Sequence, residues 1–513
     1  MSERMKLFFQ HNKRVLVICL LATLAWGLAA HAYQFLNFQY SHDSLDGLYA
    51  IGQNNMHKIE LGRVLAPAYR AVVRGAFAVP WMQGILGLLW IALGAAVMAD
   101  LFEIRKAWLL VVLCGILAVN QTVIAQSATY LDELDQNMFG MFTACLGAWF
   151  WVKRPKGWFL WGVIALTLSL GMYQSYISVA IGLVMILLLL RLLQGEKASA
   201  ILRDGVLAAA MVIVSGVLFL LCAKAITAAT AIPLAQRNNS LAALGKFSLA
   251  SLPALVADLY QDFWHTFIHQ PNTWLTPGAS TMLNWAVVVL VGVMLVRALF
   301  RRDLAIGQKA LIVLIALLLP LGLNICHVLT SGGVSHTLMK YACVLIYVLC
   351  LLLAMQWEQA EPKPGRAARW LSAAITCVLL FSFVQTANTA YFKKTSVDRA
   401  TYSRMTNVMY DMLYYGYIPG ETPLVLEGSI PLGPYPGYEP INDLIGMGFD
   451  NAVGWDHVAK KHYFSYVLGD NANFLPDDEW EAMLKDEMVQ SMPCYPEPGY
   501  IEMIDDVLVV KLS

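Results

Sequence analysis

The sequence predicts a mainly α, polytopic membrane protein that carries a small α/β domain at its carboxyl end. Of 513 residues, 58% are hydrophobic and only 14% charged, and the mean hydropathy of +0.58 lies outside the range of ordinary soluble domains. Apolar runs of membrane-spanning length recur as far as residue 388. Beyond about residue 390 they give way to short strand-like runs, TPLVLEG and DVLVVKL, set between Gly and Pro clusters such as PLGPYPGYEP.

A spanning helix needs roughly twenty mostly apolar residues. About eleven segments meet this, near 15–35, 80–101, 106–126, 137–152, 157–172, 176–193, 205–228, 281–299, 309–328, 338–356 and 369–388. The opening MSERMKLFFQHNKR is basic, and no small-residue cleavage site is set off after the apolar run that follows, so this run is read as a retained first helix. Lys and Arg then mark every second connection: Lys13 and Arg14; Arg105 and Lys106; Lys153, Arg154 and Lys156; Arg191 and Arg203; Arg297, Arg301 and Arg302; Lys363, Arg366 and Arg369. By the positive-inside rule the amino terminus is cytoplasmic, and an odd number of spans puts the carboxyl terminus outside. The expected division is a transmembrane unit over 1–389, with outer loops at 36–79, 127–136 and 229–280, and an extracytoplasmic domain over 390–513.

Charge and cysteine usage exclude several classes. With 35 basic and 35 acidic residues the formal net charge is zero, which leaves no basic excess to neutralise a nucleic-acid backbone. The nine cysteines are scattered singly without a CxxC spacing, against a zinc ribbon or a disulfide framework. His265 and His269 in WHTFIHQ are four apart, but no Glu follows the first and no third ligand is evident. Neither a GxGxxG after a strand nor a P-loop is present, so no nucleotide cofactor is expected.

The informative residues lie in the outer loops. YSHDSLDGLY, residues 40–49, places Asp43 and Asp46 just beyond the first span. Next, HKIELGRVLAPAYRAVVRG carries Arg63, Arg70 and Arg74 at offsets of seven and four, one face of a continuous helix; Pro67 is tolerated in a first turn. Such an element is expected to lie amphipathically at the interface. Two readings stand for its arginines: contact with lipid headgroups, or a planar fork for a lipid-linked phosphate. The second gains weight because three outer arginines run against the chain's own charge bias.

ATYLDELDQN supplies Asp132, Glu133 and Asp135, a cluster suited to sugar hydroxyls or a metal, or simply to a solvated loop. GMYQSY interrupts an apolar run with Tyr173, Gln174 and Tyr176, read either as sugar or acceptor contacts or as an interfacial aromatic belt. SGGVSHTLMKY holds His336 and Lys340 near an outer helix start, where Lys340 either reaches a phosphate or snorkels. The amphipathic run SLASLPALVADLYQDFW, with Trp264 and Trp274, suits a flap over lipid or sugar.

YSHDSLDGLY, HKIELGRVLAPAYRAVVRGAFAVPW and SLGMYQSYI together resemble the bacterial O-antigen-modifying membrane glucosyltransferases of the serotype-converting type. The resemblance runs over most of the membrane portion. It implies a GT-C-like fold in the bacterial inner membrane, a polyprenyl-phosphate sugar donor, a lipid-linked or surface glycan acceptor, and a partner flippase and donor synthase. It also implies an acidic catalytic residue in the first outer loop, which falls on Asp43. Because Ser44, not a second acid, follows Asp43, the role stays open between Asp43 and Asp46.

On this reading an aspartate accepts the acceptor's proton, while Arg63, Arg70, Arg74 and Lys340 meet the departing phosphate. Those cations can balance the phosphate charge, so no metal is expected. The rival readings are a lipid-linked sugar flippase or transporter, which should show internal repeats that are not evident here, and an O-antigen polymerase.

Overall fold

The computed structural model describes residues 3–41, 44–49, 51–75, 78–235, 249–330, 336–432, 437–442, 453 and 457–513, with backbone alone at 3–11, 46, 49, 51, 53, 249, 329, 330 and 440. Helices dominate it. The chain opens with α1 (Glu3–Leu36), followed by three short helices, α2 (Ser44–Tyr49), α3 (Ile51–Glu60) and α4 (Ala66–Val73). Then come α5 (Pro80–Leu101), α6 (Ala107–Ala118), α7 (Gln121–Thr129), α8 (Leu134–Lys153), α9 (Trp158–Met172), α10 (Ile177–Leu193) and α11 (Ala198–Thr230). The last of the bundle are α12 (Leu252–Ile268), α13 (Pro277–Leu299), α14 (Ile306–Leu323), α15 (Leu345–Ala360) and α16 (Pro362–Tyr414).

Each of the eleven apolar runs overlaps a helix or a bent helix pair, but among the described residues only eight helices are long and apolar enough to cross a membrane, or nine if α6 and α7 form one bent span. The shortfall has local causes. α8 opens on Asp135, Gln136 and Asn137, all buried, and α9 has only 15 residues.

The run expected as one span at 106–126 is broken, with a bend of 46° between α6 and α7. Asn120 makes the break. Its amide donates to the carbonyls of Ile116 and Leu117 at 3.1 and 3.0 Å, while its carbonyl oxygen caps α7 by accepting from the N–H groups of Thr122 and Val123. One side chain thereby satisfies backbone groups on both sides of the interruption.

α11, α13 and α14 expose apolar side chains such as Ile213, Val217, Val289, Val293, Leu314 and Leu317. In water such a surface would invite aggregation, whereas hydrocarbon solvates it. The helices are those of a multi-pass membrane protein.

The charged connections gather at one end of the bundle. Asp100 pairs with Arg105 and Lys153, Asp204 pairs with Arg154 and Arg191, Arg301 donates to the Leu193 carbonyl, and Arg369 pairs with Glu358. The short helices α2, α3 and α4 belong to the other end.

α15 and α16 form a tight antiparallel hairpin joined through Glu361. Gly365 is required there, because a Cβ at this position would overlap the backbone of Glu358. α16 then runs unbroken for 53 residues, so the expected boundary at 389–390 falls inside a helix.

The end of α16 enters a second hydrophobic core, separate from that of the bundle. The TPLVLEG and DVLVVKL runs are strands, as expected: β1 (Pro423–Glu427) and β4 (Val507–Lys511), which with β2 (Asn473–Phe474) and β3 (Ile501–Ile504) give the sheet order β2-β1-β4-β3. β1 is parallel to both neighbours, and β3–β4 is an antiparallel hairpin. Three short helices, α17 (His457–His462), α18 (Asp477–Met483) and α19 (Glu487–Ser491), accompany the sheet.

Candidate functional site

The connections 36–79 and 127–136 meet in a buried network of opposite charges. The 3-10 turn Leu131–Glu133, between α7 and α8, carries Asp132 and Glu133; Asp135 follows on the first turn of α8. Glu133 is only 2% exposed. One of its oxygens takes the ammonium of Lys58 from α3, and the other takes Arg63 Nη1 at 2.7 Å. Arg74 donates to the Asp132 backbone carbonyl at 2.5 Å and lies 3.3 Å from the Asp135 carboxylate. Arg70 is held by Gln136 at 2.7 Å, Asn54 at 2.5 Å and Asn55 at 3.0 Å.

The arginines therefore converge, though not as the stripe of one helix. Arg63 lies in the turn between α3 and α4, Arg70 on α4 and Arg74 at its cap. Nor do they lie open toward headgroups: Arg70 is 3% exposed, and the Arg74 side chain is likewise buried. Buried charges persist only when paired, and the facing loop provides the pairs.

The two neighbouring acids are driven apart. Burial would raise the Glu133 carboxyl, but Lys58, Arg63 and Arg70 outweigh it and hold the group at about 2. Burial and the adjacent Glu133 charge push Asp132 up to about 7, against the pull of Arg70, Lys58 and Arg74. Asp132 Oδ1 is buried without a hydrogen-bond partner among the described residues, and so is Arg70 Nη2.

The YSHDSLDGLY segment reaches this network. Gly47 on α2 lies so close to Asp132 that a Cβ there would fall within the carboxylate. Asp46 belongs to the same helix, though its side chain is not described, and Asp43 lies outside the described residues. Replacement of Gly47 by Ala is expected to push α2 off the cluster at an overpacking cost of about 1–3 kcal/mol. Turnover of the purified protein in detergent should fall at least about tenfold, as misplacement of reacting groups predicts. Unchanged turnover would mean that α2 does not set the site's geometry.

The 3-10 turn Gln174–Tyr176 forms one wall. The Arg63 guanidinium lies 4.4 Å from the centre of the Tyr173 ring, a cation–π arrangement, and Gln174 donates to the Gly62 carbonyl at 2.8 Å. Tyr176 is fully buried, and its hydroxyl accepts from Gln126 at 2.8 Å. Its ring packs edge-on to Tyr341.

Lys340 is on the Tyr341 side of this wall and is not brought to the three arginines. Its ammonium contacts Asp262 of α12 and donates to Asn324 Oδ1 at 2.8 Å, while Asn324 and His327 also approach Asp262.

Sequence reasoning missed Lys58 and Asp262. Lys58 stood in the quoted HKIELGR stretch, five residues before Arg63, a spacing that aligns neither residue on a helix. Only the turn after α3 brings them to one carboxylate.

A family model described as Glucosyl transferase GtrII matches residues 32–355. Neither a curated protein nor a solved structure matches the chain.

Proposed function

Because the chain belongs to the Glucosyl transferase GtrII family, we propose that it moves glucose from a polyprenyl-phosphate donor to a hydroxyl of an O-antigen-type glycan, by one inverting displacement at the outer face of the bacterial inner membrane. Family membership favours glycosyl transfer over the transporter and polymerase readings. The observation that carries the proposal is the contact of the Asp46-bearing helix α2 with the buried Lys58, Arg63, Arg70, Arg74, Asp132, Glu133 and Asp135 network.

The acceptor oxygen attacks the anomeric carbon as the bond from that carbon to the phosphate oxygen breaks. The acceptor proton passes to Asp43 or Asp46, and the electron pair of the breaking bond leaves with the lipid phosphate. That leaving group is already a stable anion, so it needs positive charge more than a proton. Arg70 Nη2, a buried donor without a hydrogen-bond partner among the described residues, is directed to a phosphate oxygen. Arg63 and Arg74 are pre-positioned by Glu133, Asp135 and the Asp132 carbonyl, which lowers the cost of orienting them during reaction.

Asp132, raised toward neutrality, receives a glucose hydroxyl at Oδ1, and Tyr173 backs Arg63. Gln174 and Tyr176 shape the wall beside the acceptor. Lys340, held by Asp262 and Asn324 on the α12 side, is the remaining cation offered to the donor phosphate. In this reading the acceptor is lipid-linked or surface glycan, the donor comes from a partner synthase and flippase, and no metal or cofactor takes part.

The test is transfer of labelled glucose in membranes that contain the chain but no donor synthase. Polyprenyl-phosphate glucose should yield labelled glycan whose new linkage has the opposite anomeric configuration, while a nucleotide sugar should yield none. Transfer from the nucleotide sugar alone would overturn the donor, and retained configuration would overturn the single displacement. No transfer from either would return the transporter and polymerase readings.

A further inference from the structure

The family match ends at residue 355, yet the chain beyond it reaches back to the first outer loop. Leu45 of α2 is fully buried and belongs to the carboxyl-terminal core, the same apolar cluster that holds Met405, Val408 and Met412 of α16 and the strand residues Leu424 and Leu508. Tyr40 packs at the edge of the same core, and its backbone N–H is bonded by the Asp398 carboxylate of α16. α17 packs directly on α2.

The opposite side of the motif faces the charge network. Gly47 abuts Asp132, and Ser41 Oγ donates to the Thr129 carbonyl at 2.9 Å, just before the turn that carries Asp132. A six-residue helix has no stability of its own. Besides its neighbour α3, α2 is therefore placed from two sides: Leu45 in the carboxyl-terminal core and Gly47 on the acid turn.

We infer that the carboxyl-terminal region is a working part of the transfer site, with Leu45 as a positioning residue through which that region sets the placement of the aspartate-bearing helix. This rests on the proposed role of the 40–49 loop. A carboxylate displaced by about 1 Å from its productive place loses on the order of 100-fold in rate while substrate contacts elsewhere survive. The signature of Leu45 is thus a fall in kcat at nearly constant donor KM.

The experiment uses the full chain in detergent, with Leu45→Ala, Leu45→Met and Met405→Ala, and reads steady-state transfer together with hydrogen exchange of the 38–49 segment. Leu45→Ala and Met405→Ala should each lower kcat about 10- to 100-fold, leave donor KM within about twofold, and speed exchange in 38–49. Leu45→Met, which keeps the volume, should restore both readouts to near wild type.

Unchanged exchange in 38–49, or faster exchange with unchanged kcat, would overturn the inference. Asp43→Asn and Asp46→Asn separate it from the function it rests on. If both keep full transfer while Leu45→Ala still loosens 38–49 and lowers kcat, the aspartate reading falls and the positioning role stands.

Discussion

Replacing the base of the 40–49 loop is expected to cost glucosyl transfer about 100- to 10,000-fold, the range that a positioned proton acceptor contributes. Asp43→Asn and Asp46→Asn preserve size and hydrogen bonding but cannot take the acceptor's proton. At matched expression, one of the two should abolish measurable turnover while binding of polyprenyl-phosphate glucose survives, because the donor's charge is met by the cations of the neighbouring network. The other aspartate should show a smaller loss. If both variants retain transfer, the base lies elsewhere, and Asp132 takes precedence: its carboxyl is raised to about 7 and one oxygen has no hydrogen-bond partner among the described residues. A group with that affinity for protons suits acid–base work near neutrality.

Glu133→Gln should be the most damaging change to stability within the site. It removes the carboxylate that pairs with both Lys58 and Arg63, leaving two cations in a buried place. Breaking a buried pair by deleting one partner typically costs about 3–5 kcal/mol. The detergent-purified variant should therefore melt well below wild type at pH 7. The pH dependence has a definite sign: the folded Glu133 carboxyl lies at about 2, below its ordinary value of 4.5. Its contribution is complete above about pH 4.5 and is lost as the pH falls through about 2. The difference in Tm between wild type and Glu133→Gln should shrink over that acid window. A variant that melts with wild type at pH 7 would mean that water solvates Lys58 and Arg63.

Much of the helical plan was legible because apolar length is a local property. Each long run could be located from its own residues, and the short strand-like runs TPLVLEG and DVLVVKL, set between Gly and Pro clusters, were enough to mark β1 and β4. The break at Asn120 was not expected, since one polar residue in an apolar run barely changes its average. Yet Asn120 and Gln121 were its signal, because a buried amide there needs partners that a straight helix would withhold.

The site was half legible. Arg63, Arg70 and Arg74 stood out by spacing and by their departure from the charge bias, and Asp132, Glu133 and Asp135 stood out by density. That the two groups neutralise each other depends on a turn after α3 and on a loop some 60 to 70 residues away, which no periodicity encodes. The pairing of Lys340 with Asp262, and the burial of Leu45 in the core shared with the end of α16, are equally nonlocal.

The unbroken course of α16 has a geometric consequence. At 1.5 Å and 100° per residue, its 53 residues form a shaft about 80 Å long that joins the hairpin at Gly365 to the strand-bearing core. Height and azimuth are then locked together along it. A single residue inserted between Tyr391 and Met405 would lift the distal core by only 1.5 Å but swing it through about 100°, carrying the pocket for Leu45 to another side of the shaft. Length in this stretch is thus counted in whole turns, and the chain tolerates change there by phase rather than by distance.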